Sequence, residues 1–291
     1  MPLLSVKGAN RTKGNMGNIC SDQNFGFEIQ SGTLVKYTGT ATDVVIPETV
    51  VSIGERAFEN LSIASVTIPH CVKTIGIEAF KGCKSLHTIT ISDGVTSIGR
   101  GAFAGCNSLV EVALPNSVTI VGDSVFKGCR ALISVDIPNS VTSIGDCAFL
   151  GCSSLTSVII PDSVTSIGDC AFGYCSFLAG VTIPKGVMSI GCFAFWGCGS
   201  LASVDIPNSV TSIGDCAFEG CSSLTSITIP HSVTSIGNNA FSRCVRLIYI
   251  NGCRRTALLY AAARNNPVGK KLGICSYYGE KMASLPNKYK K

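Results

Sequence analysis

Residues 138–160 read PNSVTSIGDCAFLGCSSLTSVII, and this stretch recurs with small changes along most of the 291-residue chain. Phenylalanine marks one position of each copy, at intervals of 23 residues except for a first interval of 22. These phenylalanines are Phe58, Phe80, Phe103, Phe126, Phe149, Phe172, Phe195, Phe218 and Phe241. A fixed period of roughly 20 to 50 residues is typical of a solenoid. Because a single unit cannot bury its apolar face alone, we expect the copies to stack on one another.

Each copy combines a strand pattern with a turn pattern. Val135 and Ile137 alternate with polar residues, which predicts a strand with one buried face. Pro138 follows and ends the strand, because proline has no N–H group to donate to a neighbouring strand. Farther along, Asp146 is a favourable N-cap for a short helical turn, and Gly151 is a favourable residue to end it. The sequence therefore predicts one strand, one chain reversal and one short helical or 3₁₀ turn per repeat.

The unit resembles the BspA-like subtype of the leucine-rich repeat superfamily, whose 23-residue pattern is L-x-x-I-x-I-P-x-x-V-x-x-I-G-x-x-A-F-x-x-C-x-x. The resemblance covers residues 44–251, which is about nine units. It implies an α/β repeat solenoid, a right-handed superhelix with one parallel strand and one short helical or 3₁₀ turn per repeat. It also implies a binding or adhesion module on a cell surface, although a fold does not determine a functional site.

We divide the chain into four parts. Residues 1–20 are short of apolar side chains and are expected to be disordered. Residues 21–46 contain two strand patterns around a Ser-Gly turn, and we expect this hairpin to cap the first repeat. Residues 47–252 hold about nine repeats. Residues 253–291 are expected to form a helical cap, ended by Pro267, and then a basic tail.

The charged residues are unevenly distributed along the chain. The formal net charge is +5, yet residues 47–252 carry 10 basic and 14 acidic side chains, so the basicity comes from the C-terminal end. This distribution disfavours a uniformly basic surface that binds nucleic acid. We interpret the basic tail as solvated, with contact to an anionic surface as the alternative. Its lysines are Lys270, Lys271, Lys288, Lys290 and Lys291.

No segment has the pattern of a membrane span or of a signal peptide. An apolar run of about 18 residues without turn-forming residues does not occur. The first twenty residues contain Gly, Asn, Lys and Arg but no apolar core segment. We therefore expect a cytoplasmic protein, with the cell surface, reached by unconventional export, as the alternative.

Sixteen cysteines would ordinarily favour a disulfide-linked protein, but most of them follow the repeat period. Eight occupy one position of successive repeats, namely Cys83, Cys106, Cys129, Cys152, Cys175, Cys198, Cys221 and Cys244. Cys147, Cys170 and Cys216 form a partial second column. We interpret the columns as reduced packing residues, because equivalent side chains point the same way and free cysteine packs well in a core. Disulfide bonds are the first alternative; we expect no metal or cofactor, because no C-x₂-C pair or nearby histidine occurs.

Two adjacent repeats depart most from the consensus. Tyr174 stands in place of a glycine, Phe177 in place of a serine and Phe193 in place of a cysteine. Trp196, the only tryptophan of the chain, follows closely. Because tyrosine and tryptophan are enriched in binding hot spots, these four residues are a candidate binding patch. The alternative is local repacking, in which bulky side chains fill space that Gly173 leaves open.

The outward positions of the strands form a second candidate surface, which is small, polar and nearly flat. It includes Asp136 and Asp205, and a threonine column that contains Thr142 and Thr165 follows in the next segment. Hydroxyl groups in such columns stabilise neighbouring strands, which is the structural interpretation. As a binding surface, the columns suit broad contact with a protein, a peptide or a glycan better than a pocket for a metabolite.

These features favour a non-catalytic interaction scaffold that binds a protein or glycan surface. No carboxylate pair stands apart from the repeat pattern and no G-x-x-x-x-G-K-[ST] loop occurs, so we expect no enzyme activity. Two alternatives remain open. One is a cell-surface adhesin of the BspA-like type, and the other is a structural or surface-templating protein that uses its threonine and serine ladders.

Overall fold

The computed structural model describes residues 26–247 and 249–251, and these residues form a solenoid of stacked coils built from short β-strands. At its N-terminal end, β1 (Phe27–Gln30) and β2 (Thr33–Tyr37) form an antiparallel hairpin. Ser31 and Gly32 between them have positive φ values of 48° and 77°, as a type I′ turn requires. β2 also pairs in parallel with a strand of the first coil, so the hairpin is joined directly to the solenoid.

Two series of parallel strands alternate along the rest of the described chain. In chain order they are β3 (Asp43–Val45), β4 (Ser52–Ile53), β5 (Ser65–Ile68), β6 (Thr74–Ile75), β7 (Thr88–Ile91), β8 (Ser97–Ile98), β9 (Glu111–Ala113), β10 (Ile120–Val121), β11 (Ser134–Asp136), β12 (Ser143–Ile144), β13 (Ser157–Val158), β14 (Ser166–Ile167), β15 (Gly180–Thr182), β16 (Ser189–Ile190), β17 (Ser203–Asp205), β18 (Ser212–Ile213), β19 (Ser226–Thr228), β20 (Ser235–Ile236) and β21 (Tyr249–Asn251). The odd-numbered strands pair as β3-β5-β7, β9-β11 and β13 through β21. The even-numbered strands pair as β4-β6-β8, next to β2, and as β10 through β20. Residues one repeat apart face each other, as Val135 faces Val112, so equivalent side chains form columns.

The phenylalanines of the repeats form one buried stack that runs through the coils. Successive ring centroids lie 4.7–5.6 Å apart, and successive ring planes are within 13° of parallel. The stack continues into the hairpin, where the Tyr37 ring lies 5.1 Å from Phe58 and the Phe27 ring lies 5.0 Å from Tyr37. Burial of large rings dominates the energetics of such a core, and ring contact adds to it. The spacing of the rings is therefore the spacing of the coils.

A column of buried thiols lies beside the phenylalanine stack. Each thiol of the eight-residue column donates a hydrogen bond to the backbone carbonyl of a phenylalanine in the preceding coil, with distances of 3.0–3.3 Å. Cys152, for example, donates to Phe126 at 3.2 Å. The thirteen cysteines within the described residues are all free thiols. The thiol column therefore both packs the core and links one coil to the next.

The expected helical turn was wrong, because alternate N–H groups of the turn donate to the next coil. No α- or 3₁₀-helix occurs within residues 26–247 and 249–251, so the fold there is a β-solenoid rather than an α/β one. Cys147 and Gly151 have φ values of 56° and 76°, which a right-handed helix does not allow. The Cys147 N–H donates to the carbonyl of Asp169 at 2.8 Å, in the following coil. The Asp146 carboxylate likewise accepts the Asp169 N–H at 2.8 Å, so it links two coils instead of capping a helix.

Replacing Phe149 with alanine is expected to destabilise the protein by about 3–5 kcal/mol, because it opens a gap in the middle of the ring stack. Repeats contact only their neighbours, so the loss of amide protection should centre on the coils of Phe126 and Phe172. Chemical denaturation and hydrogen exchange measure both effects. The control is Phe177→Ala, which removes a ring that is 62% exposed and should change stability by less than about 0.5 kcal/mol. A similar loss of stability in both variants would contradict the conclusion that the ring stack holds the coils together.

The buried thiols predict that stability falls steeply at alkaline pH. Burial raises the pKa of the Cys152 thiol from its ordinary 9.0 to about 12 and raises that of Cys198 in the same way. The stabilisation is fully present below the unfolded-state pKa and is lost as pH rises towards the folded-state value. Each such thiol should lower the free energy of unfolding by about 1.4 kcal/mol per pH unit above pH ~9.

The matched variant for this experiment is Cys152→Ser, which keeps a donor for the Phe126 carbonyl but cannot titrate in this range. Denaturation curves recorded between pH 8 and 10 should show a pH slope that is shallower in the variant by about one thiol's contribution. An unchanged slope would show that this thiol is not buried as the structure has it.

Candidate functional site

Three of the four candidate aromatic residues meet on the turn side of the solenoid and are called the aromatic cluster: Tyr174, Phe193 and Trp196. The ring centroids of Tyr174 and Trp196 are 4.3 Å apart, with an angle of 51° between the planes. Phe193 meets Trp196 edge-on at 5.4 Å and 67°. The Tyr174 side chain is 48% exposed, while Phe193 and Trp196 are half-buried. The cluster thus presents one open ring that contacts Trp196, and Phe193 contacts Trp196 in turn.

Tyr174 occupies a backbone position that glycine fills in most coils. Its φ is 56°, and the equivalent Gly151 and Gly197 have φ values of 76° and 70°. The left-handed conformation costs about 1–2 kcal/mol for a residue with a side chain. The Tyr174 ring lies directly over Gly197, where an added Cβ would come within 2.7 Å of the ring. Glycine at 197 is therefore required for the ring to lie where it does.

Gly173 does not leave the open space that the repacking interpretation requires. Gly173 is buried, and a Cβ added to it would meet the Leu150 side chain at 2.9 Å and the Phe193 carbonyl at 3.5 Å. The leucine of the preceding coil already occupies that space. A vacancy at Gly173 therefore does not account for the bulky residues of the aromatic cluster.

The other proposed site residues lie apart from the cluster. Within the described residues, Phe177 makes no ring contact, and its backbone N–H donates to Ser153 at 3.2 Å. Asp136 and Asp205 are exposed at the ends of β11 and β17, which are three coils apart. At ~4.8 Å per strand they are separated by ~14 Å, so they do not form a common site.

The threonine column is part of the hydrogen-bonding between coils. The Thr142 hydroxyl donates to the Thr119 carbonyl, and the Thr165 hydroxyl donates to the Thr142 carbonyl, both at 3.2 Å. Thr211 and Thr234 repeat the arrangement farther along. Each of these hydroxyl groups already donates a hydrogen bond within the solenoid, which favours the structural interpretation of this column.

The concavities of the described residues include one of about 740 Å³, which lies between the hairpin and β3. Its carboxylate, on Asp43, already accepts a hydrogen bond from the Ser65 hydroxyl at 2.5 Å. A second, of about 490 Å³, lies on the turn side of the early coils and is rich in glycine and in basic residues. This second concavity was not predicted from the sequence, although basic residues that recur at one repeat position could have indicated it.

The described residues hold no group of three His, Cys, Asp or Glu side chains arranged to bind a metal ion. They also include no helix long and apolar enough to cross a membrane. The lysines of the basic tail lie outside the described residues.

Comparison with known proteins gives one family and several solved structures. The family model of the BspA type leucine-rich repeat region matches residues 28–156 and 142–263. A leucine-rich repeat protein from Bacteroides ovatus is 30% identical, with 73% of each chain covered and a TM-score of 0.51. A leucine-rich cell surface protein from Faecalibacterium prausnitzii is 28% identical, over 85% of this chain and 98% of the other, with a TM-score of 0.38. A leucine-rich repeat protein of T. pallidum is 25% identical, over 79% and 91%, with a TM-score of 0.41. No curated protein matches the chain.

The left-handed backbone at Tyr174 predicts a reversed order of stability for two truncations. Tyr174→Ala removes the ring but keeps the strain, whereas Tyr174→Gly removes the ring and relieves the strain. We expect the glycine variant to be more stable than the alanine variant by about 1 kcal/mol in chemical denaturation. Thr165 is an exposed residue without positive φ and serves as the control. There we expect Thr165→Ala to be more stable than Thr165→Gly. Equal stability of the two Tyr174 variants would contradict the strained conformation.

Proposed function

The chain belongs to the BspA-type leucine-rich repeat family, and we propose that it is a non-catalytic scaffold that binds a macromolecular partner through its aromatic cluster. Proteins of this family are generally surface or interaction proteins. The observation that carries the proposal is the half-exposed Tyr174 ring, held in a backbone conformation that favours glycine. The proposal applies equally to a protein inside the cell and to one at its surface.

Strain at Tyr174 supports a functional role for its ring. The turn holds this left-handed conformation in every coil, and glycine occupies the position in six of the nine coils, with Asn60 and Arg243 in two others. A glycine at this position would remove the strain, as glycine does in the coils on either side. The ring contributes a half-exposed phenol beside the only tryptophan, and such pairs are typical anchors of binding interfaces.

The backbone of the aromatic cluster is fixed by hydrogen bonds along and between coils. The Tyr174 N–H donates to the Trp196 carbonyl at 2.5 Å, and the Trp196 N–H donates to the Phe193 carbonyl at 3.0 Å. The Phe193 N–H donates in turn to Asp215 of the next coil at 2.8 Å. A surface that is ordered before binding loses little conformational entropy when the partner arrives. This organisation supports a protein or glycan surface as the partner, because the cluster is open rather than enclosed.

Removing the Tyr174 ring is expected to weaken partner binding by about tenfold or more, as at other hot spots. The partner is first isolated by cross-linking in extracts of the source organism and then titrated against purified full-length protein. Trp196 is the only tryptophan, so its fluorescence reports directly on the aromatic cluster. Tyr174→Gly is the test variant, because it deletes the ring without adding backbone strain.

The matched control is Phe177→Ala, which removes an exposed ring outside the cluster. We expect the control to bind as the wild type does and to show the same change in tryptophan emission. A partner that binds Tyr174→Gly as tightly as the wild type, with no change in Trp196 emission, would remove the aromatic cluster from the proposal.

A further inference from the structure

A groove runs along the turn side of the early coils, and its floor consists of glycine. Gly82, Gly105 and Gly128 occupy the same position in three successive coils, with φ values of 71°, 74° and 74°. The absence of side chains at these positions leaves a concavity of about 490 Å³, which we call the glycine groove. The conformation favours glycine, so the floor is kept clear by the backbone itself.

The lining of the glycine groove is strongly basic. It contains five cationic residues and one acidic residue, namely Lys81, Lys84, Arg100, Lys127, Arg130 and Glu78. Only ten basic residues occur in residues 47–252, against fourteen acidic ones. Half of the positive charge of an otherwise acidic solenoid is therefore concentrated in one concavity.

Most of this positive charge has no partner within the described residues. Glu78 is bound by Lys81 at 2.9 Å and by Arg56 at 2.8 Å, and these hydrogen bonds lower the pKa of its carboxyl group. The other four cations of the groove are exposed and form no ion pair within residues 26–247. The nearby Asp123 carboxylate accepts the Asp146 N–H at 3.0 Å and so is directed towards the next coil. The groove thus carries a net positive charge that its own structure does not balance.

The cations form two rows parallel to the stack of coils. Lys81 and Lys127 occupy one repeat position, two coils apart, and Lys84 and Arg130 occupy another. Phe80, Phe103 and Phe126, in the same coils, are separated by steps of 5.3 and 5.6 Å. The charges within a row are therefore spaced by about two strand separations, or ~10 Å. A linear polyanion that lies along the solenoid can meet both rows at once.

Side chains close both ends of the row of equivalent glycines. The Asn60 side chain lies against Gly82 at one end. At the other end, two coils beyond Gly128, Tyr174 replaces the glycine with a ring. The glycine groove itself spans the coils of Gly82, Gly105 and Gly128, which are two coil steps, or ~10 Å, from end to end.

The lining chemistry favours a polysaccharide over other polyanions. No aromatic residue lines the groove, so it offers no platform on which nucleic acid bases could stack. It also has no large apolar side chain to anchor a protein. Apart from the charged residues, the lining consists of glycine and alanine with the hydrogen-bonding side chains of Asn60, Asn107 and Ser124. Arginine and lysine bind anionic oxygens strongly, and neutral polar groups bind hydroxyls.

From these observations we propose that the glycine groove binds a linear sulfated polysaccharide, with sulfates on the two cation rows and hydroxyls on Asn107 and Ser124. The lining of the groove shares no residue with the aromatic cluster, and the proposal stands whether or not that cluster binds a partner. Binding here requires no movement of the coils, because the floor is backbone and the cations are already exposed.

The test measures binding of dextran sulfate to the full-length protein, with unsulfated dextran of the same length as the ligand control. The test variant is Lys84→Glu with Arg130→Glu, which reverses two unpaired cations of one row. The matched control is Lys73→Glu with Lys185→Glu, which makes the same change of charge at exposed lysines outside the groove. A third variant replaces Lys288, Lys290 and Lys291 with glutamine, to measure binding by the basic tail. Melting temperatures check that each variant is folded.

We expect dextran sulfate to bind and dextran not to bind, with affinity about tenfold weaker in the groove variant and within about twofold of wild type in the control. An equal loss of affinity in the groove variant and the control would assign binding to overall charge and would overturn the proposal. A loss of affinity confined to the tail variant would overturn it as well. Tighter binding of poly(dT) than of dextran sulfate, lost in the groove variant, would assign the groove to single-stranded nucleic acid instead. If the groove variant does not fold, Lys84→Ala with Arg130→Ala is measured against Lys73→Ala with Lys185→Ala under the same criteria.

Discussion

Contact between phenylalanine rings in neighbouring coils is the constraint on which the rest of this solenoid depends. The rings are fully buried, and centroid separations of 4.7–5.6 Å leave no room for another group between coils. The first repeat is one residue shorter than the others, yet Phe80 still lies 4.7 Å from Phe58. The missing residue, which falls between Leu61 and Ile63, therefore leaves the stack intact. Close packing of this kind tolerates changes at the surface far better than changes of volume in the core.

The stack also explains why the turns are not helical. In-register coils place each turn within hydrogen-bonding distance of the next, so alternate turn N–H groups donate to carbonyls one coil away, as Phe149 donates to Ala171 at 2.8 Å. A helical turn would direct the same N–H groups back along their own chain. The left-handed residues at positions equivalent to Cys147 and Gly151 orient the backbone for the inter-coil bonds. Thiols, hydroxyls and the carboxylate of Asp146 then add side-chain bonds in the same direction.

Features that depend on the period were predictable from the sequence, and features that depend on contact between coils were not. The 23-residue interval predicts the solenoid and the thiol column, and the alternation within each unit predicts the strand at Val135. The helical turn failed because Asp146 followed by alanine and phenylalanine has the local pattern of a capped turn, and the competing bond comes from Asp169 in another repeat. The glycine groove was missed because charge was counted along the chain. A count along the chain adds Lys84 and Arg130 to carboxylates that lie far away in the structure. Stacking of the coils instead places both cations in the lining of the groove.

Ligand-binding residues in this solenoid are best placed on the turn side, because there a substitution does not disturb the stack. The threonine hydroxyls of the neighbouring surface already donate to carbonyls of the preceding coil, so changing Thr142 or Thr165 removes a link between coils. At the turn position of Tyr174, most coils have glycine and so have no side chain that links coils. Replacing glycine by Tyr174 costs backbone strain but leaves Phe172 stacked between its neighbours at 5.2 and 5.5 Å. Unpaired cations and an exposed ring therefore accumulate on this side, where the repeat can vary while the coils remain the same.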